Sequence, residues 1–180
     1  MGNDFSEIFG DWSPDDFEEK RRPDPGEDPA EPENRRREPV AVREVKIRGV
    51  FEHTDVSTPL NGQTFVLLED RDDRKVPIWI GRYEAISISM ALDGAETGRP
   101  MTHDLMKLIL ERLNAQVDRI TVDDLWEETF YAKISLIAGD KTIEIDARPS
   151  DAIALAVRFK APIYVAESVL DAVSQEQEQG

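Results

Sequence analysis

The 180-residue chain contains no cysteine. Disulfides and thiolate metal centres are therefore excluded, and the absence suits a reducing compartment. Long hydrophobic runs are missing too: nothing approaches the ~18 consecutive apolar residues of a membrane-spanning helix. The opening residues, MGNDFSEIFGDW, are acidic rather than a basic stretch leading into an apolar one. We read a soluble chain of the cytoplasm with no membrane contact. Runs of Lys or Arg are also absent, and 38 acidic side chains against 22 basic ones give a formal net charge of −16. A domain that grips nucleic acid through its backbone carries a basic footprint, and none is visible. With only two histidines, a catalytic metal would have to be a hard ion on oxygen ligands.

What is present divides unevenly. Residues 1–41 are acidic and hold six of the 11 prolines, a composition that cannot offset the entropy of ordering, so we expect a disordered arm. Within it Phe5, Ile8, Phe9 and Trp12 fall at helical spacing, either a partner-binding stripe or a chance pattern in a floppy segment. Residues 42–173 have the texture of one α+β domain, and 174–180 of a disordered tail. Val45, Ile47, Gly49 and Phe51 alternate with polar neighbours as a strand, Asn61-Gly62 signals a turn, and 64–69 and 75–80 read as two further strands. Pro77 places the third at an edge, or its nitrogen away from a ladder. A helix follows over 84–92, and another after Thr102 as N-cap. The second half repeats the order: strands over 117–125, 130–136 and 142–147, a helix from an N-cap at Ser150, a short extended IYV and a last helix over 168–173. Glu84, Ala85, Ile86 and Ile88 match Asp151, Ala152, Ile153 and Leu155 at one constant offset. An internally duplicated unit of three strands and two helices follows, with sheets packed on helices. The helices at 84–92 and 151–159 are apolar nearly all round, which suits a layer interior or a subunit contact, so we expect a homo-oligomer.

The motifs PIWIG (77–81), RPMTHDL (99–105), FYA (130–132), DARPSDAIALA (146–156) and PIYV (162–165) occur in this order. Together they make the chain resemble the bifunctional nuclease domain family over about residues 43–170. The resemblance implies nuclease activity on DNA and RNA, and an α+β fold built from a duplicated unit. It carries no catalytic constellation over to particular residues, and it leaves the arm out.

The site must therefore be argued from chemistry. Phosphodiester hydrolysis needs an activated water, charge stabilisation on the phosphoryl oxygens and help for the leaving oxygen. Mg²⁺ or Mn²⁺ held by Glu84, Asp146 and Asp151 would supply all three. Without a metal, His103 titrates in the useful range, with Glu84, Asp146 and Asp151 as further acid–base candidates, while Arg99 and Arg148 would clamp phosphate. Each Arg precedes a proline just ahead of a helix, where its backbone is extended and N–H groups favour anions. Each of these residues also has a bland role. Glu84, Asp104 and Asp151 suit the dipole of a first helical turn, and Asp146 and Arg148 can simply pair. His53 with Asp55 is a weaker loop pair. Trp79 and Trp126 either stack on bases or pack in the core. Two other classes of function stay open: a non-catalytic oligomeric module recruiting a partner through the arm, and a small-anion site at Arg99 or Arg148.

Overall fold

The computed structural model describes residues 41–179 apart from 55, 56, 58, 59, 96 and 127. Residues 1–40, with the stripe Phe5, Ile8, Phe9 and Trp12, and Asp55 lie outside this set. Eleven elements run in the order β1 (Val42–Glu52), β2 (Thr64–Glu69), β3 (Lys75–Ile80), α1 (Arg82–Leu92), α2 (Thr102–Arg112), β4 (Ala115–Trp126), β5 (Thr129–Ala138), β6 (Lys141–Ala147), α3 (Pro149–Phe159), β7 (Ile163–Ala166) and α4 (Glu167–Gln179). The fold is α+β: one seven-stranded sheet with the four helices packed against it. No helix among the described residues is long and apolar enough to cross a membrane.

The sheet order is β3-β2-β1-β7-β4-β5-β6. The two sheets expected from a duplicated unit are therefore corrected to one. The reason is β7, which pairs antiparallel with β1 and parallel with β4 and so joins the halves. Both halves do run three strands and then two helices, but β7 interrupts the second and has no counterpart in the first. The order of elements does not by itself make the halves copies. Pro77 lies on edge strand β3, where its missing N–H interrupts no further ladder.

Alternation decides which side chains enter the core. Val66 and Leu68 of β2, Val76 and Ile78 of β3, and Ile120 and Val122 of β4 are buried together with Ile153, Leu155, Val165 and Leu170. In β1 the alternation changes phase, because a bulge shifts the register between Ile47 and Gly49. Phe51 is thereby turned outward, opposite Phe65, which in turn lies opposite Trp79. The Phe51 and Phe65 rings stack at 5.6 Å, and Phe65 and Trp79 meet at 4.9 Å. Neither tryptophan considered for core packing is buried: Trp79 is partly exposed on its ladder and Trp126 stands out at the end of β4.

Two further boundaries differ from the sequence reading. Helix α4 continues through residues 174–179, where a disordered tail was expected. Gln and Glu are good helix formers, and buried Val169, Leu170 and Val173 anchor the preceding turns. The N-caps of α2 and α3 are Met101 and Arg148, not Thr102 and Ser150, which sit inside the first turns. At α3 the first helical residue is Pro149, whose missing N–H costs nothing there.

Candidate functional site

Three elements and one corner build a cleft of about 700 Å³. Gly81 starts α1, whose first turn carries Glu84, with Ser87 one turn on. Helix α2 contributes His103, strand β6 contributes Asp146, and the β6–α3 corner contributes Arg148 and Asp151. All six line the cleft, with Tyr83, Met101, Met106, Ile134 and Ile145 as apolar wall. Five of the six sequence candidates therefore meet: Glu84, His103, Asp146, Arg148 and Asp151. The exception is Arg99. Its proline step ends two residues short of α2, so Met101 rather than Arg99 is the cap, and Arg99 stands exposed on the connecting loop. Arg148, by contrast, is itself the cap of α3, with the extended backbone (φ −65°, ψ 142°) that a following proline imposes.

Arg148 is shared by two carboxylates. Its Nε donates to Asp151 Oδ2 at 2.8 Å, and its Nη2 donates to Asp151 Oδ1 at 3.1 Å and to Glu84 Oε1 at 3.0 Å. Glu84 and Asp151 are each the third residue of their helix, so matching positions of α1 and α3 converge on one guanidinium. The hydrogen bond and charge of Asp151, then those of Glu84, raise the Arg148 pKa further. Burial raises the Asp151 carboxyl, but the hydrogen bonds from Arg148 and His103 outweigh it and hold the group below its usual range.

Behind this pair lies a second arginine that the sequence reading missed. Arg158, almost wholly buried, donates from Nε to Asp104 Oδ1 at 2.6 Å, from Nη1 to Ala154 O at 3.0 Å, and from Nη2 to Ser87 Oγ at 3.0 Å. The Ser87 hydroxyl, thus an acceptor from Arg158, meets His103 Nδ1 at 2.9 Å, while His103 Nε2 meets Asp151 Oδ1 at 3.2 Å. The donor inventory places one ring proton. An ionised carboxylate only accepts, so Nε2 carries a proton and donates it to Asp151. At Nδ1 the Ser87 oxygen is the partner either way: it donates to the lone pair of a neutral ring and accepts from the N–H of a charged one. Neither ring nitrogen has a free lone pair to offer the cleft, so His103 in this arrangement holds Asp151 instead of acting as a base. Asp146 is the contrasting group. Its carboxylate has no hydrogen bond or ion pair among the described residues. The clue to Arg158 was in the sequence: Asp151 and Arg158 stand seven apart, on one face of an otherwise apolar helix. Ser87 gave no such signal.

The proposed metal ligands do not form a ligand set. Glu84 and Asp151 are both turned onto Arg148, so a guanidinium occupies the place a cation would share. Among the described residues no group of three or more His, Asp or Glu side chains is placed to hold a metal ion.

Comparison with known proteins gives this cleft a context. Residues 66–178 match the profile of the bifunctional nuclease domain, a span that begins within β2 and holds every cleft residue. An uncharacterized protein of Mycobacterium tuberculosis (strain H37Rv) is 40% identical over 127 residues, covering 71% of this chain and 73% of that one. The rice protein "Bifunctional nuclease 1" (Oryza sativa subsp. japonica) is 30% identical over 101 residues, 54% of this chain but 30% of its own length. "Bifunctional nuclease 2" of Arabidopsis thaliana is likewise 30% identical over 101 residues, 31% of its length. Matched across most of its sheet, all four helices and the whole cleft, the chain belongs to the bifunctional nuclease domain family.

Proposed function

We propose that the chain is a nuclease that hydrolyses phosphodiester bonds in DNA and RNA with low sequence preference, at the cleft between α1, α2, β6 and α3. The observation that carries this reading is the gathering of Glu84, His103, Asp146, Arg148 and Asp151 on one cleft; plant relatives named as bifunctional nucleases support it. Arg148, two-thirds exposed, exchanges its carboxylate partners for the two oxygens of a phosphate, which its planar fork matches. Asp146, with both carboxylate oxygens unengaged, takes the proton from the attacking water. The phosphorus gains that hydroxyl, its bond to the leaving oxygen breaks, and the leaving oxygen is protonated by solvent. His103 holds Asp151 at the floor of the cleft. Mg²⁺ characteristically binds one or two carboxylates plus substrate phosphates. For Mg²⁺ or Mn²⁺ entering with substrate, Asp146 is the available ligand.

The test is hydrolysis of labelled single-stranded DNA, duplex DNA and RNA, with EDTA, Mg²⁺ or Mn²⁺. Asp146→Asn is expected to lower kcat by about a hundredfold or more, the scale of a lost general base. Arg148→Ala is expected to raise KM and lower kcat together. Cleavage unchanged in both variants removes the site, and no cleavage in any condition removes the activity. One observation favours a rival reading, a non-catalytic module that recruits a partner through its arm: Arg148 is already satisfied by two carboxylates. A partner captured by the full chain and lost on deleting residues 1–41, with no cleavage by either form, supports that rival.

A further inference from the structure

Helix α2 is docked by its polar side. Of its residues only His103 is buried, and Asp104, Lys107 and Leu110 are half-buried beside it. The contacts that seat it on α3 are polar: His103 to Asp151, Asp104 to Arg158, and Lys107 Nζ donating to Arg158 O at 3.0 Å. Leu110 packs against the core; the other large apolar residues point away. Leu105 is 51% exposed, Met106 38%, Leu108 43% and Ile109 49%, and Leu113, just past its end, 69%. An amphipathic surface helix ordinarily turns that stripe to its own core. Five large apolar side chains left open on one helix and its end make a contiguous patch of the kind that marks an interface.

We propose that this face pairs two copies of the chain, α2 lying antiparallel on its counterpart about a two-fold axis. Charge selects the occupant. The chain carries −16 overall, so its electrostatic field favours basic partners, yet this face offers them no free carboxylate. The Glu111 side chain is taken by Lys107 one turn back, at 3.7 Å, and Asp104 by Arg158. The charge exposed among these apolar residues is Arg112, which has no ion pair among the described residues; an apolar face carrying a cation suits a partner of acidic surface, which a second copy of this chain is, and an isologous contact needs nothing beyond self-complementarity. Antiparallel apposition also sets the two helix dipoles head to tail. The rest of the two acidic surfaces repel, so pairing tightens with added salt as screening shortens to about 8 Å at physiological ionic strength. Met106 belongs both to this face and to the cleft wall, so a paired copy stands at the margin of the cleft. The nuclease reading is not needed for any of this.

The full chain is examined by light scattering and sedimentation over a dilution series at low and high salt. A dimer that tightens with salt is expected. Ile109→Glu is expected to raise its Kd by about a hundredfold or more, since a carboxylate in each copy would lose water at the seam and apolar contact would be lost, while circular dichroism stays unchanged. Because the chain has no cysteine, Ile109→Cys gives a unique reporter: mild oxidation should yield a covalent dimer, and Arg71→Cys, on the exposed β2–β3 turn, should not. A monomer at every concentration overturns the proposal. So does a dimer that Ile109→Glu leaves intact, or equal cross-linking by both cysteine variants.

Discussion

Asp70 is a buried carboxylate at the β2–β3 turn. Its side chain is 2% exposed, and it organises the β2–β3 turn by accepting from the backbone N–H groups of Asp72 and Arg74 and from Arg74 Nε at 2.8 Å. Burial raises its pKa, but these donors outweigh burial and hold it low. Asp70→Ala leaves two turn N–H groups without their acceptor and takes one of three carboxylates from Arg74, which keeps Glu167 and Asp171; it should cost about 2 kcal/mol, as read from urea unfolding. His103 is tested without any assay of cleavage. Nitrogen NMR of the ring at neutral pH should show a protonated Nε2, and Ser87→Ala should release Nδ1 and blur that preference. The reverse tautomer would return His103 to the role of cleft base. At this scale the sequence showed which charges lie at the corner, because Asp146, Arg148 and Asp151 are close together in the chain. It hid that His103 is enclosed, since Ser87 and Arg158 come from other helices and enclosure depends on how those helices meet.

Helix starts and ends carry the next set of consequences. A Cβ at Gly81 would collide with the Glu84 carboxylate, a flexible group that can swing aside. Gly81→Ala should therefore fold normally yet displace Glu84 from Arg148. Under the nuclease reading this frees a donor for phosphate, so KM for an oligonucleotide should fall, and Glu84→Gln should do the same. Unchanged KM in both would show that Glu84 does not compete for Arg148. At the other end of α3, Lys160 caps the helix in the left-handed conformation at φ 56°. Lys160→Gly relieves that backbone and should raise stability by about 1 kcal/mol, visible as a higher Tm. Strand positions were well marked by alternation and turn residues, and Pro77 marked its edge. The bulge in β1 was not, because Arg48 and Gly49 read equally well as continued alternation. Neither was the cap of α3: Ser150 has the right chemistry, but Pro149 ahead of it cannot lie outside the helix more favourably than it opens it.

For the whole molecule, net charge and held carboxylates predict two responses. Asp70, Asp104 and Asp151 are all held below their usual values; at Asp104 the bonds from Arg158 and the Met101 N–H outweigh burial. A depressed carboxylate contributes stability that is complete above its unfolded value of ~3.9 and is lost as pH falls through the lower folded value. Tm should stay level from pH 7 to about 5 and drop steeply below about 4. Asp70→Asn should flatten the drop, because it removes one of the linked protons. Salt is the second response. A basic nuclease binds more weakly as salt rises, through counterion release. A chain of charge −16 that meets a polyanion through one arginine should show kcat/KM flat or rising between low and physiological ionic strength. A steep fall would mean a basic contact surface lies elsewhere in the chain.

The amino-acid order alone determined the class of fold, the strand and helix positions and the resemblance to the family, because these rest on local periodicity, turn chemistry and short motifs. It also assembled the list from which five cleft residues came, since the helix-start chemistry of each half is written in contiguous residues. Only the tertiary structure decided that β7 fuses the halves into one sheet, that Arg148 and not Arg99 reaches the cleft, that His103 is enclosed by Ser87 and Asp151, and that α2 faces outward. Each of these depends on which surfaces of distant segments meet, and side-chain spacing within a segment carries no information about its partner.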